Sequence, residues 1–249
     1  MIGVVIPAHN EEHSVGSVVD DIRAALPDAH VVVVDDRSRD ATAAIARSAG
    51  AEVVRTDIGH GGYAQALRRG YQAALACGAG RIAQVDGDGQ HRASDLRLLL
   101  DGLERYDLVV GSRFLGRAYQ MPIGRRVGIT MCRWMTRHVG RLSLTDPTSG
   151  FRAVSGDVAR DIAVNGFPDN LTEVSYLIRL HRSGRAIGEI PVTMRPPGND
   201  SMHDGLAGVR HFGRIVRATA GLALDRRRAE SPWSAYSFTE PDEISRRIH

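Results

Sequence analysis

The chain has 249 residues, of which 43% are hydrophobic and 24% are charged. This balance is typical of a globular protein, and the length is sufficient to bury a sizeable core. The formal net charge is only +3, and all 32 basic residues are arginine. No run of about 18 apolar residues occurs, which excludes an obvious membrane-spanning helix.

The two cysteines and the first residues indicate the cellular compartment. Cys77 and Cys132 have neither the spacing of a metal motif nor that of a disulfide framework, which fits a reducing cytoplasm. The chain enters an apolar strand at once, without a basic leader, which predicts no signal peptide. We therefore expect a cytoplasmic protein, with peripheral contact at the inner face of the membrane as an option.

Short apolar strands alternate with amphipathic helices through the first half of the chain. The patterns predict strands at 2–7, 30–36, 52–55 and 81–85, and helices at 14–26, 41–49 and 63–77. Uniformly apolar strands that alternate with helices are typical of an α/β fold. They predict a mostly parallel central sheet with helices on both faces.

The second half continues the alternation and adds an arginine-rich stretch. Helices are predicted at 93–103, at 172–182 and from 206 onward, and strands at 107–113 and 185–193. Between 111 and 144 there are seven arginines and no acidic residue, which indicates either a phosphate-binding surface or a solvated basic face. The last helix is basic and amphipathic, so it either lies on an anionic membrane or, as we favour, packs on its own domain. We expect one domain at 1–224 and a loosely ordered tail at 225–249.

Polar residues follow the predicted strands at their carboxyl ends, where open parallel sheets bind ligands. Asp86 and Asp88 follow a buried strand two residues apart, with Gln90 just beyond. Two adjacent carboxylates repel each other, so a divalent cation with oxygen ligands is the natural partner, whereas a polar turn is the simpler alternative.

The glycine cluster at 59–62 precedes a helix and could hold phosphate through backbone N–H groups. It matches neither the dinucleotide fingerprint nor the phosphate loop that ends in Gly-Lys-Ser/Thr. Because the chain contains no lysine, the latter is excluded, and a hydride-transfer enzyme is not expected.

Five segments in a fixed order resemble family 2 glycosyltransferases, and the last two point to the branch that includes dolichyl-phosphate mannose synthase. The segments are Pro7-Ala8-His9-Asn10-Glu11-Glu12, Asp35-Asp36-Arg37-Ser38, Asp86-Gly87-Asp88-Gly89-Gln90-His91, Gly111-Ser112-Arg113-Phe114 and Asp146-Pro147-Thr148-Ser149-Gly150-Phe151-Arg152. The resemblance implies a GT-A fold, a nucleotide diphosphate sugar donor, Mg²⁺ or Mn²⁺, and inversion at the anomeric carbon. The chain differs from the family pattern at Arg37, where a glycine is usual.

The resemblance also assigns roles to single residues on the donor side. Asp86, Asp88 and Gln90 correspond to the metal motif, and the resemblance also implies a catalytic role for Asp88. The nucleotide would be bound by residues at the ends of the first strands and at the glycine cluster: Pro7, His9, Glu11, Asp35, Asp36, Gly62 and Asp86.

On the acceptor side, the resemblance assigns phosphate or acceptor binding to Arg113, Arg125 and Arg126, and to Arg195 and Ser201 in a closing loop. Glu173 stands at the spacing of the family's catalytic acid. A hydroxyl acceptor needs a general base, for which Glu173 or Asp169 could serve, whereas a phosphate acceptor is already anionic and needs none.

The sequence thus predicts a metal-dependent, inverting glycosyltransferase that moves a hexose from GDP-mannose or a UDP-sugar to a polyprenyl phosphate. The close alternative is a small soluble acceptor, as in antibiotic biosynthesis. A sugar nucleotidyltransferase is less favoured, because 8–11 is not a glycine-rich loop with a basic residue. A non-catalytic nucleotide-binding module is the third alternative. The paired carboxylates oppose nucleic-acid binding, and the oligomeric state is left open.

Overall fold

The computed structural model describes residues 1–56, 61–115, 123–167, 171, 173–195 and 206–224. In these ranges the strands are β1 (Ile2–Ala8), β2 (His30–Asp35), β3 (Glu52–Arg55), β4 (Arg81–Gln84), β5 (Leu108–Ser112), β6 (Arg152–Ser155) and β7 (Ile187–Pro191). The helices are α1 (Val15–Ala25), α2 (Thr42–Ser48), α3 (Tyr63–Ala76), α4 (Leu96–Gly102, after a 3-10 turn at Ala93–Asp95), α5 (Ile123–His138), α6 (Gly156–Asn165), α7 (Val174–Arg182) and α8 (Leu206–Leu224). The predicted tail at 225–249 lies outside the described residues.

The strands form one seven-stranded sheet in the order β3-β2-β1-β4-β6-β5-β7. All neighbouring pairs are parallel except those of β6, which runs antiparallel to β4 and to β5. This confirms the predicted mostly parallel sheet. Because β6 is reversed, the loop that leads into it lies at the same edge as the carboxyl ends of β1, β2, β4 and β5.

Apolar helix faces cover both sides of the sheet, as the uniformly apolar strands predicted. One core contains the buried faces of α3, α6 and α7, for example Leu67, Ile162 and Leu177. The other contains those of α1 and α4, for example Val19 and Leu99. The two cores hold the strands rigidly, so that side chains just past the strand ends have defined positions.

A third cluster joins α5, α7 and α8 through Cys132, Met135, Ile178, Ile215 and Leu222. The side chain of Arg182, at the end of α7, also holds α8 in place by donating a hydrogen bond to the Leu222 carbonyl oxygen over 3.1 Å. Helix α8 therefore packs on its own domain, which was the favoured prediction. No helix in the described part of the chain combines the length and apolarity needed to cross a bilayer.

Helix α6 was not predicted from the sequence. The Ser155 hydroxyl caps its start by accepting a hydrogen bond from the Val158 N–H. Its apolar residues Val158 and Ile162 are fully buried against α3 and the sheet. The helix is only ten residues long and follows the four-residue strand β6 without an intervening loop. The apolar residues of the two elements therefore form one continuous pattern, in which the sequence does not show where the strand ends and the helix begins.

Candidate active site at the carboxyl edge of the sheet

A cavity of about 250 Å³ opens where the carboxyl ends of β1, β4 and β5 meet the loop that precedes β6. Nine residues that the sequence singled out line it together: Pro7, His9, Glu11, Asp36, Asp86, Asp88, Gln90, Arg113 and Glu173. They come from segments separated by up to 166 positions. The sheet brings them together because β1, β2, β4 and β5 all end at this edge.

Asp86 is held on both of its carboxylate oxygens. The Tyr63 hydroxyl donates to Oδ1 over 2.8 Å, and the His91 Nε2 lies 3.2 Å from Oδ2. The His91 ring is itself fixed by stacking on Phe151, with ring centroids 4.6 Å apart. A carboxylate oriented in this way keeps lone pairs for a further ligand while its rotamer is restricted.

The support for Asp86 extends into the core through Gln84, a polar residue inside the apolar strand β4 that is only 2% exposed. Its amide nitrogen donates to the Tyr63 oxygen over 2.8 Å and to the Gly150 carbonyl over 2.7 Å. Its amide oxygen accepts from the Tyr71 hydroxyl over 2.9 Å. The buried amide is thus satisfied, and it fixes the position of the tyrosine that contacts Asp86.

Gly150 approaches Asp86 more closely than any other residue type could. A Cβ atom at this position would lie 2.5 Å from the Asp86 Oδ2 atom and 2.8 Å from the Tyr63 oxygen. The absence of a side chain here therefore preserves both the carboxylate position and the space in front of it.

The acidic side chains create a strongly negative end of the cavity. Partial burial raises the pKa of the Glu11 carboxyl, and the charges of Asp88, Asp40 and Asp86 raise it further, although a hydrogen bond from Ser14 opposes this. The Asp88 carboxylate is exposed and accepts from the Gln90 N–H over 3.0 Å. Two carboxylates and an amide at one end of a cavity form a donor set that fits Mg²⁺ or Mn²⁺.

Asp36 and His9 form another part of the cavity wall. The Asp36 carboxylate accepts from the Thr56 hydroxyl and from the Gly62 N–H, each over 2.7 Å. The His9 Nδ1 lies 2.6 Å from the Asp36 carbonyl oxygen, which fixes the ring against the cavity. Gly62 thus serves this wall through its backbone, although it does not line the cavity itself.

Asp35 lies outside the cavity lining. Its buried carboxylate accepts from the Ser38 N–H over 2.9 Å and from the Arg55 Nε over 3.1 Å. It thereby anchors a tight turn in which Arg37 adopts the left-handed conformation, with φ of 62°. A glycine, usual in the family at this position, takes that conformation without strain. The structure therefore gives Asp35 a supporting position behind Asp36.

Arg113 reaches the cavity but is engaged by a buried carboxylate. Its Nε donates to Asp146 Oδ2 over 2.6 Å and its Nη2 donates to Oδ1 over 2.8 Å. The loop that contains Asp146 is held in place by the Glu189 carboxylate, which accepts hydrogen bonds from the N–H groups of Thr145 and Asp146. Burial raises the pKa of the Glu189 carboxyl, while these N–H donors lower it. Arg113 thus forms part of the cavity wall, and the buried Asp146 fixes its guanidinium there.

Two of the other predicted phosphate-binding residues, Arg126 and Arg195, are described by the structure and are not among the residues that line the cavity. Arg126 is exposed on α5. Arg195 donates to Asp21 on α1 over 2.7 Å. The side chain of Arg125 and all of Ser201 and Asp169 lie outside the described residues.

Glu173 directly precedes α7, and its largely buried side chain lines the cavity without making a hydrogen bond that caps the helix. One of its oxygens lies 3.3 Å from Nε2 of His211 on α8. This hydrogen bond raises the pKa of His211, while partial burial lowers it. Glu173 is therefore positioned by the packing of α7 against α8.

Several residues of the site carry no role in the sequence analysis. Tyr63, Gln84 and Gly150 surround Asp86, and Arg152 is buried beside them with its Nε donating to the Ser149 carbonyl over 2.8 Å. The sequence carried a signal for three of these four residues, since Arg152 ends the same family-like segment that contains Gly150. Gln84 interrupts an apolar strand, and Gly150 lies within a segment that resembles the family, whereas nothing local distinguishes Tyr63.

Comparison with known proteins agrees with this geometry. The model of the family described as "Glycosyl transferase family 2" matches residues 3–162. The undecaprenyl-phosphate mannosyltransferase of Micrococcus luteus is 31% identical over 214 residues, covering 82% of this chain and 88% of that protein. The polyprenol monophosphomannose synthase of Mycolicibacterium smegmatis is 28% identical over 200 residues, covering 76% of each chain.

Among solved structures, the glucosyl-3-phosphoglycerate synthase of Mycobacterium tuberculosis, in complex with Mn²⁺, UDP and phosphoglyceric acid, superposes with a TM-score of 0.67. The match covers 90% of this chain and 78% of the other, at 20% identity. Together with the sheet described above, this likeness confirms the GT-A fold that the sequence resemblance implied.

Proposed function

Because the chain belongs to glycosyl transferase family 2, we propose that it transfers a hexose, mannose in the first instance, from a nucleotide diphosphate sugar to a polyprenyl phosphate. The observation that carries this proposal is that Asp86, Asp88 and Gln90 line the same cavity as Glu11, His9 and Asp36. The two relatives named above support the acceptor class, since their names specify undecaprenyl phosphate and polyprenol.

Asp86, Asp88 and Gln90 would hold Mg²⁺ or Mn²⁺. When bound, the cation would neutralise charge on the departing nucleoside diphosphate, which is the main electrostatic demand of sugar transfer. The residues around the carboxylates support this assignment. Tyr63 and His91 orient Asp86, and Gly150 leaves open the space in front of it.

Replacing Gly150 with alanine is expected to weaken metal-dependent donor binding about 10- to 100-fold, a loss typical when the support of a metal-ligating side chain is disturbed. The reason is the 2.5 Å approach of the added Cβ to Asp86 Oδ2. Calorimetric titration with the nucleotide sugar and Mn²⁺ measures the effect. Gly128→Ala is the matched control, because a Cβ there meets nothing within 4 Å. Equal affinities for the two variants would contradict this account of Asp86.

The nucleoside would lie against the wall formed by Pro7, His9, Glu11 and Asp36. His9 is fixed by its bond to the Asp36 carbonyl, so the wall is organised before the donor arrives. Inversion requires the acceptor to attack from the side opposite the diphosphate. Glu173 lines the same cavity and would accept the proton from a hydroxyl acceptor.

An exposed apolar stripe on α5 supports a lipid acceptor. Val127, Met131 and Trp134 recur on one helix face and are 63%, 45% and 54% exposed. The sequence from 111 to 144 around them contains seven arginines and no acidic residue. A tryptophan and aliphatic side chains flanked by cations are typical of helices that lie on an anionic membrane. Helix α5 also packs with α7, at whose start Glu173 faces the cavity.

The first experiment is a calorimetric panel of GDP- and UDP-sugars with and without Mn²⁺, followed by transfer assays with a polyprenyl phosphate and with soluble hydroxyl acceptors. Metal-dependent, base-selective binding together with transfer to polyprenyl phosphate is the expected result. GDP selectivity would indicate mannosyl transfer. Transfer only to soluble acceptors would support the alternative acceptor class, and binding without transfer would support a non-catalytic module.

Glu173→Gln distinguishes the two acceptor classes. Transfer to a hydroxyl acceptor should fall at least about 100-fold, because the general base is lost. Transfer to polyprenyl phosphate should change only a few fold, because its phosphate is already an anion at neutral pH. Steady-state kinetics with both acceptors measures the difference, and the exposed Glu104→Gln serves as the control. A large loss with the phosphate acceptor would contradict the base-free route.

The membrane surface is tested with the double variant Met131→Ala, Trp134→Ala. We expect its partition onto vesicles containing an anionic phospholipid to fall at least tenfold, roughly what the loss of two buried apolar side chains predicts. Leu98→Ala on α4 is the matched control, since Leu98 is equally exposed at 54% but lies on another helix. Partition that is unchanged, or reduced equally by Leu98→Ala, would exclude α5 as the membrane contact.

A further inference from the structure

A second cluster of metal-ligating side chains lies at the N-terminal ends of the parallel strands β2 and β3, away from the C-terminal ends that carry the candidate active site. His30 is the first residue of β2, Glu52 is the first residue of β3, and Cys77 directly follows α3. Since β2 has six residues, this cluster is about 20 Å from the carboxyl edge that carries the candidate active site. Neither the family resemblance nor the proposed function uses these three residues.

The three ligand atoms converge on one point. The His30 Nε2 lies 2.6 Å from Glu52 Oε2, and the Cys77 Sγ lies 3.3 Å from that nitrogen and 3.7 Å from that oxygen. In a tetrahedral zinc site, neighbouring N, O and S ligands are about 3.3 to 3.6 Å apart, as follows from the usual metal–ligand bond lengths. Only the hydrogen-bonded His30–Glu52 pair would have to separate, by less than 1 Å.

The surroundings suit such a site. The side chains of His30 and Glu52 are 31% and 39% exposed, so an ion can reach them from solvent. Each side chain extends from a regular element whose backbone is fixed by the sheet or by the helix. In the described part of the chain, this is the one group of three His, Cys, Asp or Glu side chains whose ligand atoms all lie within 4.8 Å of one another.

We propose that His30, Glu52 and Cys77 bind Zn²⁺, with a water molecule or an external ligand as the fourth donor. A thiolate together with an imidazole selects zinc over Mg²⁺ and Mn²⁺, which prefer oxygen ligands such as those at Asp86 and Asp88. The ion would connect β2, the edge strand β3 and the end of α3. The site would therefore act as a structural clamp and is independent of the proposed transferase activity.

The thiol must lose its proton when the metal binds. Partial burial, followed by the negative charge of Glu52, raises the pKa of Cys77. Without metal, the protonated thiol donates to Glu52. Zinc binding would replace this hydrogen bond with direct coordination and release the proton to solvent.

The test is titration of the tag-free, metal-free protein with Zn²⁺ by calorimetry, and with Co²⁺ by absorption spectroscopy. We expect one Zn²⁺ per chain at this site, and a sulfur-to-cobalt charge-transfer band. Thermal unfolding should shift upward by about 5 °C when zinc is present at a hundredfold excess over its Kd. Cys77→Ser and Glu52→Gln should weaken zinc binding at least about 100-fold, because loss of a ligand exceeds the cost of disturbing its support.

Two controls separate this site from the others. Cys132→Ala removes the other thiol, and Asp88→Asn removes a carboxylate of the candidate active site, so both variants should retain zinc binding and the cobalt band. The proposal is overturned if wild-type protein binds no zinc, if Cys77→Ser binds it unchanged, or if Asp88→Asn abolishes it. Since Cys77 is partly exposed at a helix end, its replacement should not prevent folding, and circular dichroism verifies this.

Discussion

Replacing Asp88 with asparagine is expected to lower kcat/KM at least about 1000-fold, and to remove the Mn²⁺ dependence of donor binding, while the fold stays intact. The expected size follows from the several kcal/mol with which a bound cation stabilises a departing anion, at about 1.4 kcal/mol for each tenfold change. Asparagine keeps an oxygen that can accept from the Gln90 N–H, now 3.0 Å from the Asp88 carboxylate. The variant therefore removes charge and little else.

The effect is measured by steady-state transfer kinetics and by calorimetric donor binding with and without Mn²⁺. Because Asp88 is exposed, the midpoint of thermal unfolding should remain close to that of the wild type. Asp28→Asn is the matched control, since Asp28 is also exposed but lies in the turn before β2, at the opposite edge of the sheet. Unchanged metal-dependent donor affinity in Asp88→Asn would refute the assignment of Asp88 to the metal.

Asp146→Ala is expected to destabilise the protein by about 3 to 5 kcal/mol, the range typical when one partner of a buried ion pair is removed. The Asp146 side chain is fully buried and that of Arg113 is 6% exposed, so solvent does not replace the lost partner. Asp146 accepts two hydrogen bonds from the guanidinium and one from the Arg113 N–H. Their loss would leave a buried cation without its carboxylate beside the candidate active site.

Urea denaturation, followed by circular dichroism, measures the change. Asp157→Ala is the control, because Asp157 pairs with Arg160 at the surface, where such pairs contribute about 1 kcal/mol or less. A loss for Asp146→Ala no larger than for Asp157→Ala would show that the Arg113 guanidinium does not depend on this pair. The phosphate-binding role that the sequence resemblance implies for Arg113 would then be favoured over a supporting role.

Much of the fold and the family could be predicted without coordinates. The alternation of apolar strands and amphipathic helices predicts the parallel sheet, because buried strands need cover on both faces. Five ordered segments identify the family, and the comparisons confirm that family and the prediction of a hexosyltransferase. The acidic pair Asp86 and Asp88 is recognisable because both residues lie in the short turn just after an apolar strand, so that local sequence alone predicts their position at the C-terminal ends of the strands, where ligands bind.

The sequence by itself thus determined the fold class, the family and the set of residues that lie at the C-terminal ends of the strands. Tertiary structure decided what those side chains contact. Asp35 and Asp36 are neighbours in sequence, but only Asp36 faces the cavity, and Arg113 is engaged by a carboxylate 33 positions away. Contacts between distant segments, such as Gly150 with Asp86 or His30 with Cys77, leave no periodicity in the sequence. They arise only when strand order and the reversed direction of β6 bring the segments together.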